Sequence, residues 1–209
     1  PEKVASKVVY TGYLGRGFDL PALTVTGTVL VTPGGGEDGA ELLEAYLRDM
    51  RQLHPDSVPP SLLVAGPFLP PGEFRWLEGL AASLPNVRLR RYMPELQREM
   101  SRADLVVCRA GALTVAELCA VGVPAVFVPY PSAVDDHQTA NAQPMVDAGA
   151  AAIIQEADLS DASLADELGS WLTSRTDLLA RAKRARQLAR PQALQRITEL
   201  CLQLAGDPA

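Results

Sequence analysis

The chain has 209 residues, 47% of them apolar, with a formal net charge of −6 and a sequence pI of about 5.0. That length allows one large domain or two small ones with a sizeable core. The acidic balance gives nucleic-acid binding no electrostatic support, and no apolar run approaches the roughly 20 residues of a membrane span.

The chain opens Pro1-Glu2-Lys3-Val4, with neither a signal-peptide pattern nor an initiator Met, which suggests a processed chain or an excised fragment. Residues 1–27 read as an entry segment: a possible short strand at Val8-Val9-Tyr10, a loop from Thr11 to Gly17, and a linker-like stretch from Pro21 to Gly27. Thr28 to Thr32 reads as a buried strand, broken by Pro33-Gly34-Gly35-Gly36-Glu37-Asp38-Gly39. An amphipathic helix follows from Ala40 to about Leu53, with Leu42, Leu43, Tyr46, Leu47 and Met50 on one face. The glycine-rich turn between strand and helix suits phosphate binding or close packing. Its spacing is not the dinucleotide fingerprint, and it lacks the Gly-Lys-Ser/Thr of a P-loop.

The alternation continues. Ser61 to Ala65 reads as a strand, Glu73 to Leu84 as a helix, and Val87 to Tyr92 as a strand with one face less buried. Pro94 to Met100 reads as a short helix with proline at its favoured first position. Leu105 to Cys108 is strand-like, Arg109-Ala110-Gly111 allows only a tight turn, and from Ala112 the apolar positions Leu113, Val115, Leu118 and Cys119 take helical spacing. Val123 to Val128 is a further strand, ended by Pro129 and Pro131. Asp135 or Asp136 can cap the helix carrying His137, Gln138 and Asn141. Ala150 to Ile154 is a sixth short strand. Ser160 begins a final helical region that runs to Leu204 with a break at Pro191.

Strands alternating with helices predict an α/β fold: a single Rossmann-like domain, a parallel sheet of about six strands with helices on both faces. In such sheets ligands bind beyond the carboxyl ends of the strands, at the topological switch point. The loops there are 33–39, 92–94, 109–112 and 129–138. The three cysteines, Cys108, Cys119 and Cys201, read as small buried hydrophobes in a reducing compartment and not as a disulfide framework or a metal site. The arginines and lysine of the last helices (Arg181, Lys183, Arg184, Arg186, Arg190, Arg196) read as a solvated face, with a docking surface as the alternative.

The turn at 109–112 carries the clearest chemistry. A helix N-terminus gathers free N–H groups and partial positive charge, which suits a phosphate; an ordinary strand-to-helix turn is the alternative. Glu117 lies six residues past Gly111, about 9 Å along the helix, where a carboxylate can accept hydrogen bonds from two vicinal ribose hydroxyls. Arg109 could neutralise phosphate charge or equally pair with a neighbouring carboxylate. Gln138 and Asn141 stand one turn apart, and amides, with both donor and acceptor, suit sugar hydroxyls. His137 is either a ligand or an exposed helix residue.

Four stretches together, Val107 to Glu117, Gly122 to Pro129, Asp136 to Ala142 and Ala148 to Ala151, resemble the C-terminal half of the MurG family. These are bacterial transferases that move N-acetylglucosamine from UDP-N-acetylglucosamine to lipid I, giving lipid II of peptidoglycan synthesis. The resemblance runs from about residue 10 to about 205. It implies the donor-binding half of a GT-B fold, with residues 1–27 as interdomain segment, 28–190 as the Rossmann-like donor domain and 191–209 as a helix returning toward an N-terminal domain.

By position the resemblance implies that Arg16 reaches the donor phosphate, that Gly35 and Gly36 line the first glycine-rich loop, and that the backbone at Met93 reads uracil. It implies that Gly111, Ala112, Leu113 and Thr114 meet the phosphates and ribose, that Glu117 holds the ribose hydroxyls, and that Gln138 and Asn141 face the sugar with His137 beside them. It implies no metal and no cofactor beyond the UDP-sugar substrate. Its acceptor site, membrane-facing patch and general base belong to the N-terminal domain, at the cytoplasmic face of the inner membrane. No residue here is assigned as catalytic base.

Three departures stand out. Glu37 and Asp38 replace a hydroxyl and an amide in the glycine-rich loop, an awkward charge beside a pyrophosphate. Ala110 replaces a usual serine, and the first half looks more like other GT-B transferases. The expected activity is therefore donor binding with little turnover by this chain alone. The alternatives are the donor domain of another GT-B transferase using a different nucleotide sugar, and the binding subunit of a split two-chain enzyme.

Overall fold

The computed structural model describes residues 8–9, 11–12, 26–36, 39–159 and 163–206. In chain order these form β1 (Val29–Thr32), α1 (Ala40–Gln52), β2 (Ser61–Val64), α2 (Pro71–Ala81), β3 (Val87–Arg90), α3 (Leu96–Met100), β4 (Leu105–Cys108) and α4 (Ala112–Val121). There follow β5 (Ala125–Phe127), α5 (His137–Asp147), β6 (Ala151–Ile153), α6 (Ser163–Leu172), α7 (Arg175–Gln187) and α8 (Ala193–Ala205). The six strands make one sheet in the order β3-β2-β1-β4-β5-β6, and every neighbouring pair is parallel.

The strands read as apolar runs because both faces of the sheet are covered. Val29, Val31, Leu105, Val107, Val126 and Val128 face one layer with α1, α2 and α6; Leu30, Val106, Cys108, Ala125 and Phe127 face the other, with α4 and α5. Adjacent residues of a strand point to opposite faces, so a continuous apolar run is what a doubly covered strand requires.

Several boundaries differ from expectation. Val8 and Val9 are exposed and in no strand, and Tyr10 lies outside the described residues. Pro71 starts α2 and Leu96 starts α3, so Pro94 precedes its helix instead of opening it. Ser160 lies outside the described residues and α6 begins at Ser163. Among the described residues, the start of α6 is met from far away: buried Asp49 of α1 accepts from the N–H groups of Leu164 and Ala165 at 2.8 and 3.1 Å. A helix N-terminus is a favourable place for a carboxylate that is otherwise costly to bury.

The basic helix α7 is not simply a solvated face. Arg186 donates to Val121 O at 2.9 Å, and Arg181 and Arg184 donate to Gly149 O at 3.3 and 3.2 Å. These carbonyls close α4 and α5, where a cation complements the helix dipole. At the end of α4, Gly122 sits in the left-handed region with φ 72°, and the N–H of Val123 reaches back to Leu118 O at 3.1 Å. A Cβ there would press on the Arg186 side chain as well, so glycine serves both the turn and the packing.

At the start of β1, Asp104 accepts from the N–H groups of Thr26 and Thr28 at 2.7 and 2.8 Å and ties the entering chain to the start of β4. Among the described residues, no helix is long and apolar enough to cross a membrane.

Candidate functional site

Connections run outward from β1 to β2 and β3, then cross back to β4 and continue to β5 and β6. The order therefore reverses between β1 and β4, whose last residues, Thr32 and Cys108, pair with each other. The loop after β1 and the turn after β4 leave the sheet side by side at this switch point, where the crevice of an open α/β sheet lies. A separate hollow lined by Thr28, Pro60, Asn86, Arg88 and Arg102 is at the opposite edge, beside the amino ends of the strands.

At the β4 end, Gly111 is the N-cap of α4 with extended backbone (φ −62°, ψ 141°), and among the described residues no side chain caps the helix. Its first-turn N–H groups at Ala112, Leu113 and Thr114 are thus left for a ligand or solvent. Leu113 is exposed, and Gly111, Ala112, Thr114 and Glu117 are half-buried. The Glu117 carboxylate accepts from the side-chain amide of Gln97 on α3. Gln97 carries no local signal for such a role: it lies on the preceding helix, and only the packing of α3 against α4 brings it to Glu117.

Arg109 takes the paired alternative. Its guanidinium is buried, forms an ion pair with Glu156 beyond β6, donates to Val128 O and Pro129 O at 3.2 Å each and stands 5.6 Å from the Tyr130 ring. A cation so engaged fastens the ends of β4, β5 and β6 to one another and is not free to neutralise a phosphate. The neighbouring Cys108 and Cys119 are buried, and Cys201 is exposed on α8, against the expectation of three buried thiols. Burial pushes Cys119 up to about 11, with Arg190 pulling weakly the other way. It pushes Cys108 up further. Neither supplies a thiolate at neutral pH.

The β5–α5 connection is unusual. Asp135 and Asp136 both have left-handed backbone, φ 53° and 49°, which costs a non-glycine residue of order 1 kcal/mol each. Asp136 occupies the N-cap position of α5, but its side chain caps nothing. His137 is exposed, its Nδ1 2.8 Å from Val134 O. Gln138 and Asn141, expected to face a sugar, are engaged with the backbone. Gln138 Oε1 accepts from the N–H groups of Ala110 and Tyr130 at 3.1 and 3.0 Å, and Asn141 Nδ2 donates to Ala110 O at 3.1 Å.

Of the remaining candidates, Met93 is half-buried and packs against the α4–α5 layer of the core. Gly35 and Gly36 are exposed after β1. Gly34 lies so close to Gly66, which has φ 98°, that a Cβ on Gly66 would overlap Gly34 O; the sequence pattern did not nominate Gly66. Arg16, Glu37 and Asp38 lie outside the described residues.

Residues 70–197, more than half of the chain, match the glycosyltransferase family 28 C-terminal domain. The chain belongs to that family. It is 39% identical over 204 residues to the UDP-N-acetylglucosamine–N-acetylmuramyl-(pentapeptide) pyrophosphoryl-undecaprenol N-acetylglucosamine transferase of Burkholderia cenocepacia, covering 93% of this chain and 50% of that protein. It is 40% identical to the Marinobacter nauticus protein of the same name, over 87% of this chain and 49% of the other. The crystal structure of Acinetobacter baumannii MurG superposes with a TM-score of 0.72 at 34% identity, over 88% of this chain and 54% of that one. A glycotransferase of kitacinnamycin, at 21% identity and a TM-score of 0.64, shares the fold.

The chain thus spans about half the length of the relatives it matches. The family 28 span includes every site candidate from Met93 to Asn141, while β1 and its glycine-rich loop precede it.

Proposed function

We propose that this chain is the donor-binding part of a MurG-type N-acetylglucosamine transferase. In this reading UDP-N-acetylglucosamine lies along the switch point. Its diphosphate sits at the uncapped start of α4, from Gly111 to Thr114, its ribose hydroxyls on Glu117, and its uracil against the backbone at Met93. The N-acetylglucosamine lies toward His137, Gln138 and Asn141 at the start of α5, and Gly35, Gly36 and Arg16 approach from the β1 side.

The observation that carries the reading is the pairing of an uncapped ten-residue helix with a half-buried carboxylate on that same helix, at the β1/β4 junction. The names of the relatives support the choice of UDP-sugar and of a lipid-linked acceptor. The transfer would be an inverting displacement: an acceptor hydroxyl oxygen bonds to the anomeric carbon, the bond from that carbon to the phosphate oxygen breaks, and UDP leaves with the electron pair. N–H groups at the start of α4 would stabilise the charge growing on UDP. The acceptor's proton passes to a base outside the candidates assigned here.

Residues 1–27 and 191–209 would connect to an N-terminal acceptor domain, with 28–190 as the donor domain and any membrane contact made through the acceptor domain at the cytoplasmic face. Titration calorimetry with UDP, UDP-N-acetylglucosamine, dTDP and GDP tests the reading. UDP and its sugar bind, dTDP and GDP bind more weakly, and the chain alone turns over little or no sugar. Absence of UDP binding at millimolar concentration would sink the assignment.

A further inference from the structure

Glu117 stands in the second turn of α4 and is half-buried. Among the described residues no arginine, lysine or histidine pairs with its carboxylate. Its partner there is the side-chain amide of Gln97, which donates to Oε1. A carboxylate accepts only, so the amide nitrogen of Gln97 is the atom that faces it. Oε2 has no partner among the described residues and is not sealed from solvent.

Gln97 is held in place by the short helix it stands on. Leu96 and Met100 of α3, with Met93 just before it, pack into the core layer that α4 and α5 cover. Of the polar side chains of α3, Arg98 and Glu99 form ion pairs with Glu95 and Arg102, their near neighbours in the chain. Gln97 instead reaches across to α4. One segment therefore carries the backbone at Met93 and, one helical turn further on, the amide that meets Glu117.

We infer that Gln97 is a positioning residue for the ribose of the nucleotide. Its amide fixes the rotation of the Glu117 carboxylate, so that Oε2 and the unused lone pair of Oε1 are aimed at two vicinal hydroxyls before the ligand arrives. A carboxylate left to rotate would lose that freedom on binding, and the loss would weaken the complex. The inference rests on the donor-site reading above, which places the ribose on Glu117 and the uracil at Met93. Gln97 then ties the base end and the ribose end of the nucleoside site together through α3.

The full chain is titrated by calorimetry with UDP and with 2′,3′-dideoxy-UDP, which keeps the base and the diphosphate but lacks both hydroxyls. Wild type is compared with Gln97→Met, Gln97→Lys, Glu117→Ala and the double variant of Gln97→Met with Glu117→Ala, and thermal unfolding is recorded for each. Gln97→Met weakens UDP by roughly tenfold, the scale of one hydrogen bond to a charged group, and leaves the dideoxy ligand unchanged. Gln97→Lys, which keeps a donor for the carboxylate, retains the preference for UDP. In the Glu117→Ala background Gln97→Met has no further effect on UDP, because Gln97 acts through Glu117.

If Gln97→Met weakens both ligands by a common factor, the residue supports the fold and not the ribose, and the proposal falls. It falls too if Gln97→Met changes neither ligand, if its effect on UDP adds to that of Glu117→Ala, or if Gln97→Lys loses the preference as fully as Gln97→Met. A wild type that binds UDP no better than the dideoxy ligand, or binds neither, overturns the donor-site reading itself. The two failures are distinct, because the positioning role alone fails only in a wild type that prefers UDP.

Discussion

Arg109 and Glu156 illustrate how a residue's role depends on what surrounds it. Removing one partner of a buried ion pair leaves an uncompensated charge, at a cost of roughly 3–5 kcal/mol. Glu156→Ala is therefore expected to lower the urea midpoint strongly, whereas a double variant, Arg109→Met with Glu156→Leu, recovers much of that loss. Equal destabilisation by the single and double variants would show that the pair is not the source.

The cysteines give a second test at this scale. Ellman's reagent should label Cys201 alone in the folded chain and all three thiols after unfolding. Because Cys119 is raised from its ordinary 9.0 to about 11, the folded state holds its proton more tightly than the unfolded state. The resulting stability is complete below pH 9 and lost as pH rises toward 11. Buried Cys108 and Tyr46, both pushed up by desolvation, act in the same direction. The melting temperature should fall across that window, and less steeply in Cys119→Ala. Arg109 was legible as a choice between two partners; what decided it, Glu156, lies 47 residues away and carries no pattern that points back.

At the scale of elements, short apolar runs and period-3.6 patterning located all six strands and the helices between them, because apolar spacing is a local property of the chain. Caps were harder to read. Asp135 and Asp136 have the composition of an N-cap, but their left-handed backbone turns the side chains away from capping. Among the described residues, the carboxylate that meets the start of α6 sits on α1. Asp49→Ala should cost about 1–3 kcal/mol by chemical denaturation, since it strips two buried N–H groups of their acceptor; Asp49→Asn, which keeps an oxygen, should cost less. A neutral Asp49→Ala would remove the capping role. Similarly, the arginines of α7 looked like solvated charge. Their use in closing α4 and α5 depends on how α7 lies across those helix ends, which no run of residues in α7 announces.

For the molecule as a whole, the least satisfied element is α8. Its spacing is strongly amphipathic, yet only Ala193 is buried, and Leu194, Leu202 and Leu204 are 65%, 57% and 88% exposed. Apolar side chains at such spacing normally cover something. We expect the isolated 209-residue chain to bind a hydrophobic dye and to self-associate at high concentration, and the triple change of Leu194, Leu202 and Leu204 to serine to suppress both with little loss of stability. Dye binding unchanged in the triple variant would place the exposed apolar surface elsewhere.

By itself the sequence determined the class of fold, the order of its elements and the turn at 109–112, because each of these follows from local periodicity and from what glycine and helix ends permit. The tertiary structure decided the strand order that brings β1 against β4, the partner of Arg109, and the engagement of Gln138 and Asn141 with Ala110. Each of these is a contact between residues far apart in the chain. Its formation depends on which strand ends are left without neighbours after the sheet has assembled, and local spacing carries no record of that.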